Sequence, residues 1–485
     1  MNESLKEKTA KGLFWGGLSN GVVQLLSLVF GIILGRLLDR GDYGMIAMIT
    51  VFSLVANELQ SSGFKTALIR MQSPEANDYN SVFWFNVIAS TVLYIILFFS
   101  APLIAAYYHQ PELVWLCRYV FLGFVFSGLG MAQGAYLTKN LKVKEISKSM
   151  MAAMLVSCIV GAVMAKLKFA YWSLATQNLL LILINTLLLW HYSPWRPTLK
   201  IDFGPVKRMF SFSVKVMFSA ILVQVNGNIM NILLGRHFTK QETGDYSQAY
   251  KWSTMGAVLI QGMLKQVDMP VLSGLENERE RQLRVLRKMM RFTAFISFPL
   301  LFGLALVSHE FIMVTIGAKW EQSSQLLPFL CVSCAFMPLS TLMQDTIVMR
   351  GRSDLFMWNT LVFCVCQLLV MSTLWPYGLR VMVYAFVALN LLWVPIWFFF
   401  VGYLTTYRWW SFLTDIIPFA LAALAVMVAT YYVTRSLENN WLLLLSRMGI
   451  AAVLYYVVMR LAHVKILDEC QQFVLQKIGI RHVEH

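Results

Sequence analysis

Apolar residues gather into runs of membrane-spanning length along almost the whole chain, each closed by a short polar break. About fourteen runs reach the roughly 20 residues a bilayer helix needs, centred near residues 24, 53, 95, 125, 156, 180, 223, 256, 304, 338, 366, 391, 421 and 451. None alternates at period two over the roughly ten-residue segments of a membrane β-barrel. The pattern predicts an all-α polytopic membrane protein with about 14 transmembrane helices.

Two stretches about 200 residues apart repeat each other. Gln24 leads to Gly35-Arg36 and then Gly41-Asp42-Tyr43; Gln224 leads to Gly235-Arg236 and then Gly244-Asp245-Tyr246. Ser19 and Ser219 extend the match, and Gln133 before Lys139 is echoed by Gln344 before Arg350. Duplicated membrane segments are a common basis of secondary transporters. The interval leaves room for an even number of crossings, so both copies are expected to share one orientation, as parallel, pseudo-symmetric six-helix lobes with a cavity between them. The expected division is a first lobe at 1–192, a cytoplasmic linker at 193–208, a second lobe at 209–404, two additional helices at 405–463 and a cytoplasmic tail at 464–485. On this register the second copy carries Lys251 where the first has Met48.

Composition agrees: hydrophobic residues make up 58%, charged residues 13%, and mean hydropathy is +0.62. A soluble fold could not cover its surface with so few polar groups. The net charge of +15 invites a nucleic-acid reading, but its distribution excludes it. Threaded through the spans, about 26 of the Lys and Arg residues fall on one side and about 9 on the other, the positive-inside bias that puts both termini in the cytoplasm. Lys139, Lys142, Lys144 and Lys148 share one inner loop, and Arg279 to Arg291 another. In the latter, Leu283, Leu286 and Met290 give one apolar side, which fits a helix lying on headgroups or a solvated topogenic loop. Lys6, Lys8 and Lys11 precede the first run without a clear cleavage site, so it is read as a retained helix after a short amphipathic lead.

No Gly-x-x-x-x-Gly-Lys-Ser/Thr loop and no His-Glu-x-x-His cluster occurs, so neither nucleotide hydrolysis, a metal centre nor a cofactor is expected. Cys331-x-x-Cys334 and Cys364-x-Cys366 lie in apolar runs and read as packing. Gly12/Gly16, Gly17/Gly21 and Gly31/Gly35 form three small-x-x-x-small pairs in the first span, for close packing or for flexing. Pro299 and Pro395 carry the same two readings.

Candidate chemistry lies in polar residues at membrane depth, which are costly there and usually face a cavity or a partner. Lys251 stands about eight residues into its span, roughly 12 Å deep at 1.5 Å per residue. Lys215, Gln24, Gln224 and Asn228 lie in the first helices of the two lobes. Lys251 and Lys215, with Arg36 and Arg236 at the mouth, would make a cationic cavity for an anionic headgroup. Snorkelling of Arg36, Lys215 and Arg236, an internal ion pair for Lys251, and helix-to-helix hydrogen bonds for the amides are the alternatives. Glu58, Asp268 and Asp345 are the candidates for ion coupling.

Four stretches together carry a family resemblance: Gly35-Arg36-Leu37-Leu38 leading to Asp42-Tyr43-Gly44, Gly63-Phe64-Lys65-Thr66-Ala67-Leu68-Ile69, Gly244-Asp245-Tyr246 with Ala249-Tyr250-Lys251, and Gly317-Ala318-Lys319-Trp320. Over about residues 5–400 the chain resembles the polysaccharide transporter branch of the multidrug/oligosaccharidyl-lipid/polysaccharide flippase superfamily, in particular the colanic-acid and O-antigen type flippases. The resemblance implies a V-shaped pair of six-helix bundles in the bacterial cytoplasmic (inner) membrane, with spans 1, 2, 7 and 8 lining the cavity. It also implies movement of undecaprenyl-diphosphate-linked oligosaccharide from the cytoplasmic to the periplasmic leaflet by alternating access. Expected partners are that lipid-linked oligosaccharide, membrane lipids, the polysaccharide polymerase and chain-length machinery, and H+ or Na+; no nucleic acid and no enzymatic step is expected. Relatives often carry an acid before the glycine-aromatic pair of span two, where this chain has Gln60-Ser61-Ser62; Glu58 would have to replace it. The alternatives are a drug/cation antiporter of the same superfamily, disfavoured by the cationic candidates, and a membrane polymerase or acyltransferase, disfavoured by short loops and dispersed histidines.

Overall fold

The structure, a computed structural model, describes residues 5–71, 74–199, 202–265, 279–464, 466–469 and 471. Among these residues the fold is helical throughout and contains no strand. The helices are α1 (Leu5–Leu37), α2 (Arg40–Arg70), α3 (Ala76–Tyr108), α4 (Leu113–Lys139), α5 (Val143–Lys166), α6 (Tyr171–Tyr192), α7 (Gly204–His237), α8 (Lys240–Lys265), α9 (Arg279–Leu306), a short α10 (Ser308–Thr315), α11 (Glu321–Met349), α12 (Ser353–Leu374), α13 (Leu379–Thr405), α14 (Trp409–Thr434) and α15 (Asn440–Leu461). Eleven of the described helices are long and apolar enough to cross a membrane, against the fourteen spans expected. The long helices outside that set are α2, α7 and α8, whose polar residues are spread along the helix: α8 carries Lys240, Glu242, Asp245, Lys251 and Lys265.

The helices form two compact units, 1–247 and 248–485. In the first, α3 packs on α4, α2 on α7, α5 on α1 and α6, and α4 on α6. Met45, Met48 and Ile49 of α2 bury against Tyr108 of α3 and Phe121 of α4. The segment after α6 is laid along the start of α3: the Thr198 amide donates to Asn80 Oδ1 at 2.8 Å, and Trp84 Nε1 donates to the Thr198 carbonyl at 2.7 Å. The ring of Trp195 packs on Tyr79 and Phe83. The sequence marks this segment as a polar linker, and Trp195 and Thr198 give it a fixed seat.

In the second unit α9 packs on α11 and α14, α11 on α13, and α14 on α15. The charged segment before the ninth span is not a separate surface helix, because α9 runs unbroken from Arg279 to Leu306. Its stripe turns inward: Leu286 and Met290 are buried in the core, and Leu283 packs against it. The two last helices belong to that same core through Phe412, Phe419, Ala423, Tyr455 and Met459. Ion clusters pin them at two places. Asp415 of α14 accepts from Arg287 Nε at 2.7 Å and Tyr407 OH at 2.6 Å, with Arg291 Nε 3.4 Å away. Arg447 of α15 pairs with Glu310 of α10 at 2.7 Å, both side chains under 10% exposed, and donates to Thr434 Oγ1 at 3.2 Å.

The first-span glycines do not all serve close packing. A Cβ on Gly17 or Gly21 would meet nothing within 4 Å, and one on Gly16 only Val143 at 3.9 Å. Cys331, Cys334 and Cys364 are buried free thiols, and the Cys334 thiol donates to Ser253 Oγ at 3.5 Å.

Candidate functional site

The repeated stretches fold into two matching corners. Helix α1 ends at Leu37 and α2 begins at Arg40; α7 ends at His237 and α8 begins at Lys240. Each corner closes by the same capping logic, an acid three residues beyond the cap bonding back to its amide. The Asp39 amide donates to Asp42 Oδ2 at 2.9 Å, and the Thr239 amide to Glu242 Oε2 at 3.1 Å, where Thr239 Oγ1 also accepts from the Glu242 amide at 3.2 Å. The structural register is therefore a shift of 200 throughout, which sets Asp42 against Glu242 and Gly44 against Gly244. The two Gly-Asp-Tyr triplets match in letters but sit three positions apart in the fold. The position equivalent to Lys251 is Val51, not Met48.

The corners meet reciprocally. A Cβ on Gly44 would lie 1.8 Å from the Lys240 carbonyl oxygen, and a Cβ on Gly244 1.9 Å from that of Arg40. No side chain fits at either position, so the first turns of α2 and α8 touch backbone to backbone, as small residues permit. Arg40 Nη1 reaches Asp245 Oδ2 at 3.1 Å, with the Asp245 side chain fully buried, and Lys240 Nζ stands 3.8 Å from Glu112 Oε2. Gly235 extends the contact down α7, where an added Cβ would strike Met48 at 2.7 Å and Tyr108 at 2.8 Å.

Below that crossing a polar line runs along α7 to α2. Asn231 Nδ2 donates to Asn228 Oδ1 at 3.3 Å, Asn228 Nδ2 to the Gln224 carbonyl at 3.0 Å, and Gln224 Nε2 to Glu58 Oε1 at 3.1 Å. Gln224, Asn228 and Glu58, singled out from sequence for separate roles, are thus joined. Arg236 is engaged at the end of α3, donating to the Tyr107 carbonyl, lying 2.7 Å from His109 Nε2 and standing over the Tyr107 ring. These contacts cap the C-terminal end of α3. Arg36 is exposed at the end of α1, and Gln24 is half-buried in the same helix.

Lys251 and Asp345 are half-buried in the second unit, with Lys251 Nζ 5.6 Å from the centre of the Trp252 ring. The side chain of Lys215 and the whole of Asp268 lie outside the described residues.

The first unit also holds an open cavity of about 690 Å³ between α2, α4 and α6, touched by α5. On α2 it is faced by Ile46, Ile49, Thr50, Ser53, Leu54 and Asn57, whose spacing of three and one is one side of a helix. Asn57 and Asn178 are not among the polar residues at depth that the sequence singles out. The helical spacing of the α2 positions was the available signal.

The model of the family described as "Polysaccharide biosynthesis protein" matches residues 33–325. The chain belongs to that family. It is 25% identical over 360 residues to the teichuronic acid biosynthesis protein TuaB of Bacillus subtilis, covering 74% of each chain. It is 24% identical over 358 residues to the lipopolysaccharide biosynthesis protein WzxC of Escherichia coli, covering 73% of this chain and 72% of that one. Among solved structures, the lipid II flippase MurJ in an inward closed conformation aligns with a TM-score of 0.75 and 13% identity over 93% of this chain and 99% of its own. That likeness shows a shared fold.

Proposed function

We propose that this polysaccharide biosynthesis protein is a flippase that carries an undecaprenyl-diphosphate-linked oligosaccharide from the cytoplasmic to the periplasmic leaflet of the bacterial inner membrane. The observation that carries the reading is the reciprocal glycine crossing of α2 and α8 in a chain of this family. Two equivalent helix corners meet at one end, which is how a gate closed at that end is built. The names of the relatives, a lipopolysaccharide biosynthesis protein and a teichuronic acid biosynthesis protein, support a glycan substrate, and the fold shared with a lipid II flippase supports a polyprenyl-linked one.

In this reading 1–192 and 209–404 are the two lobes, α2, α7 and α8 complete fourteen crossings, both termini are cytoplasmic, and the glycine crossing is the periplasmic gate. The gate opens by parting α2 from α8, which separates Arg40 from Asp245. Arg40 is already 38% exposed, and parting the helices opens the buried Asp245 to water as well. Lys251 and Lys215 hold the diphosphate, and H+ or Na+ acts through Glu58, Asp268 or Asp345. The chain moves its substrate without altering it and hands it to a polymerase.

The test is reconstitution into vesicles with lipid-linked oligosaccharide extracted from a polysaccharide-producing strain. Protein-dependent appearance of the sugar on the opposite face, with the lipid chemically unchanged, is expected. Chemical alteration of the lipid, or no movement with correctly folded protein, overturns the reading.

A further inference from the structure

The cavity between α2, α4 and α6 has a lining that fits one chemistry. Its polar side chains are the hydroxyls of Thr50, Ser53, Ser127 and Thr186 and the amides of Asn57, Asn178 and Asn185, set among leucines, isoleucines and Phe124. No Lys, Arg, Asp or Glu lines it among the described residues. The missing cations make it a poor home for a diphosphate, and the missing carboxylates make it a poor home for a cationic drug. An acyl or prenyl chain would leave the hydrogen-bonding groups unsatisfied, which is unfavourable wherever water is displaced.

Several of these groups are unused by the protein. Asn57 and Asn178 are exposed to the open volume and have no hydrogen-bond partner among the described residues. Ser53 Oγ is buried without a partner. Asn185 is pre-set: Ser149 Oγ donates to its Oδ1 at 2.8 Å, so its amide NH2 is the part left for a ligand. An Asn amide offers a donor and an acceptor side by side, which matches adjacent hydroxyls on a sugar ring. The volume falls within the roughly 300–1,000 Å³ of small-molecule sites, enough for a short oligosaccharide.

We propose that this cavity binds neutral sugar residues of the transported lipid, as a glycan site separate from whatever holds the diphosphate. The inference rests on the flippase reading above and adds where, and by which groups, the glycan is recognised. Discrimination among glycans then lies in the first unit, in Asn57, Asn178, Asn185 and Ser127, rather than in the cationic residues. A site that hydrogen-bonds hydroxyls rejects analogues lacking them strongly, because its own groups are left unpaired.

The experiment compares two probes on the purified full chain in lipid nanodiscs: undecaprenyl-diphosphate-linked repeat unit extracted from a producing strain, and undecaprenyl diphosphate without sugar. The wild-type chain is expected to bind the sugar-bearing lipid more tightly. The double variant Asn57→Leu/Asn178→Leu is expected to lose about tenfold in affinity for the sugar-bearing lipid, about 1.4 kcal/mol, and less than twofold for the bare lipid. Ser127→Leu, which fills volume without removing either amide, is expected to show the same selective loss, and an unchanged melting temperature certifies the fold of each variant. Equal losses for both lipids, or no loss in a folded variant, overturn the cavity assignment alone. Wild-type chain that binds neither lipid overturns the flippase reading itself.

Discussion

Gly44 and Gly244 occupy equivalent positions in two copies of one helix corner, and each is the point at which the other copy's backbone makes contact. Replacing either by Ala inserts a methyl group where a carbonyl oxygen already lies, so α2 and α8 must separate. Overpacking of this kind costs about 1–3 kcal/mol where neighbours can shift, and backbone shifts less readily than a side chain. Gly44→Ala and Gly244→Ala should each lower the melting temperature of the purified protein and reduce surface polysaccharide. Gly41→Ala is the control, since its Cβ would stand 3.4 Å from the flexible Lys240 side chain. If all three variants behave alike, the crossing is not a tight contact.

The ion pair across the crossing is unequal in burial, with Arg40 38% exposed and Asp245 fully buried. Arg40→Gln leaves a buried carboxylate short of its cation, whereas Asp245→Asn leaves an arginine that water can reach. The first should be the more destabilising in thermal unfolding. The double variant should cost less than the sum of the two singles, by roughly 0.5–3 kcal/mol of coupling. Additive effects would mean the pair does not interact.

Arg447 and Glu310 are a pair of another kind, with both side chains almost wholly out of contact with solvent. Removing one partner alone, as in Arg447→Met or Glu310→Gln, should destabilise the protein by about 3–5 kcal/mol. Replacing both by apolar residues should recover much of that loss, since the desolvation of two charges disappears together. Unfolding followed in detergent checks the order: each single variant below the double, and the double near the wild type.

The number and extent of the long helices were largely legible, because bilayer-length apolar runs leave few other solutions. The relation between the two copies was legible only in outline. Gly-Asp-Tyr recurs at a spacing of 203 and draws the eye, but helix ends and caps obey a spacing of 200. The acid that matters to the cap is Asp42 in one copy and Glu242 in the other. The stripe of Leu283, Leu286 and Met290 was visible too, although spacing alone cannot say whether lipid or protein covers an apolar side; it is the second unit's core that does so. Gln224, Asn228 and Glu58 stood out as polar residues at depth, whereas their linkage depends on α7 lying along α2, which no local pattern encodes. Neutral cavity groups such as Asn57 were hidden among many surface amides.

The Gln224–Glu58 hydrogen bond of 3.1 Å separates a structural from an ion-coupling role for Glu58. Glu58→Gln keeps an acceptor oxygen for the Gln224 amide and removes only the charge. If Glu58 carries H+ or Na+, this variant should fold normally and bind lipid-linked oligosaccharide, yet lose the dependence of transport on an imposed ion gradient. Gln224→Leu breaks the hydrogen bond but spares the charge, so it should lower stability by about 1.5–3 kcal/mol, typical of a hydrogen bond to a charged group, while gradient dependence persists. Transport by vesicles with and without a pH or sodium gradient distinguishes the two. Undiminished gradient dependence in Glu58→Gln would make the carboxylate a strut between α2 and α7 and move the coupling site elsewhere in the chain.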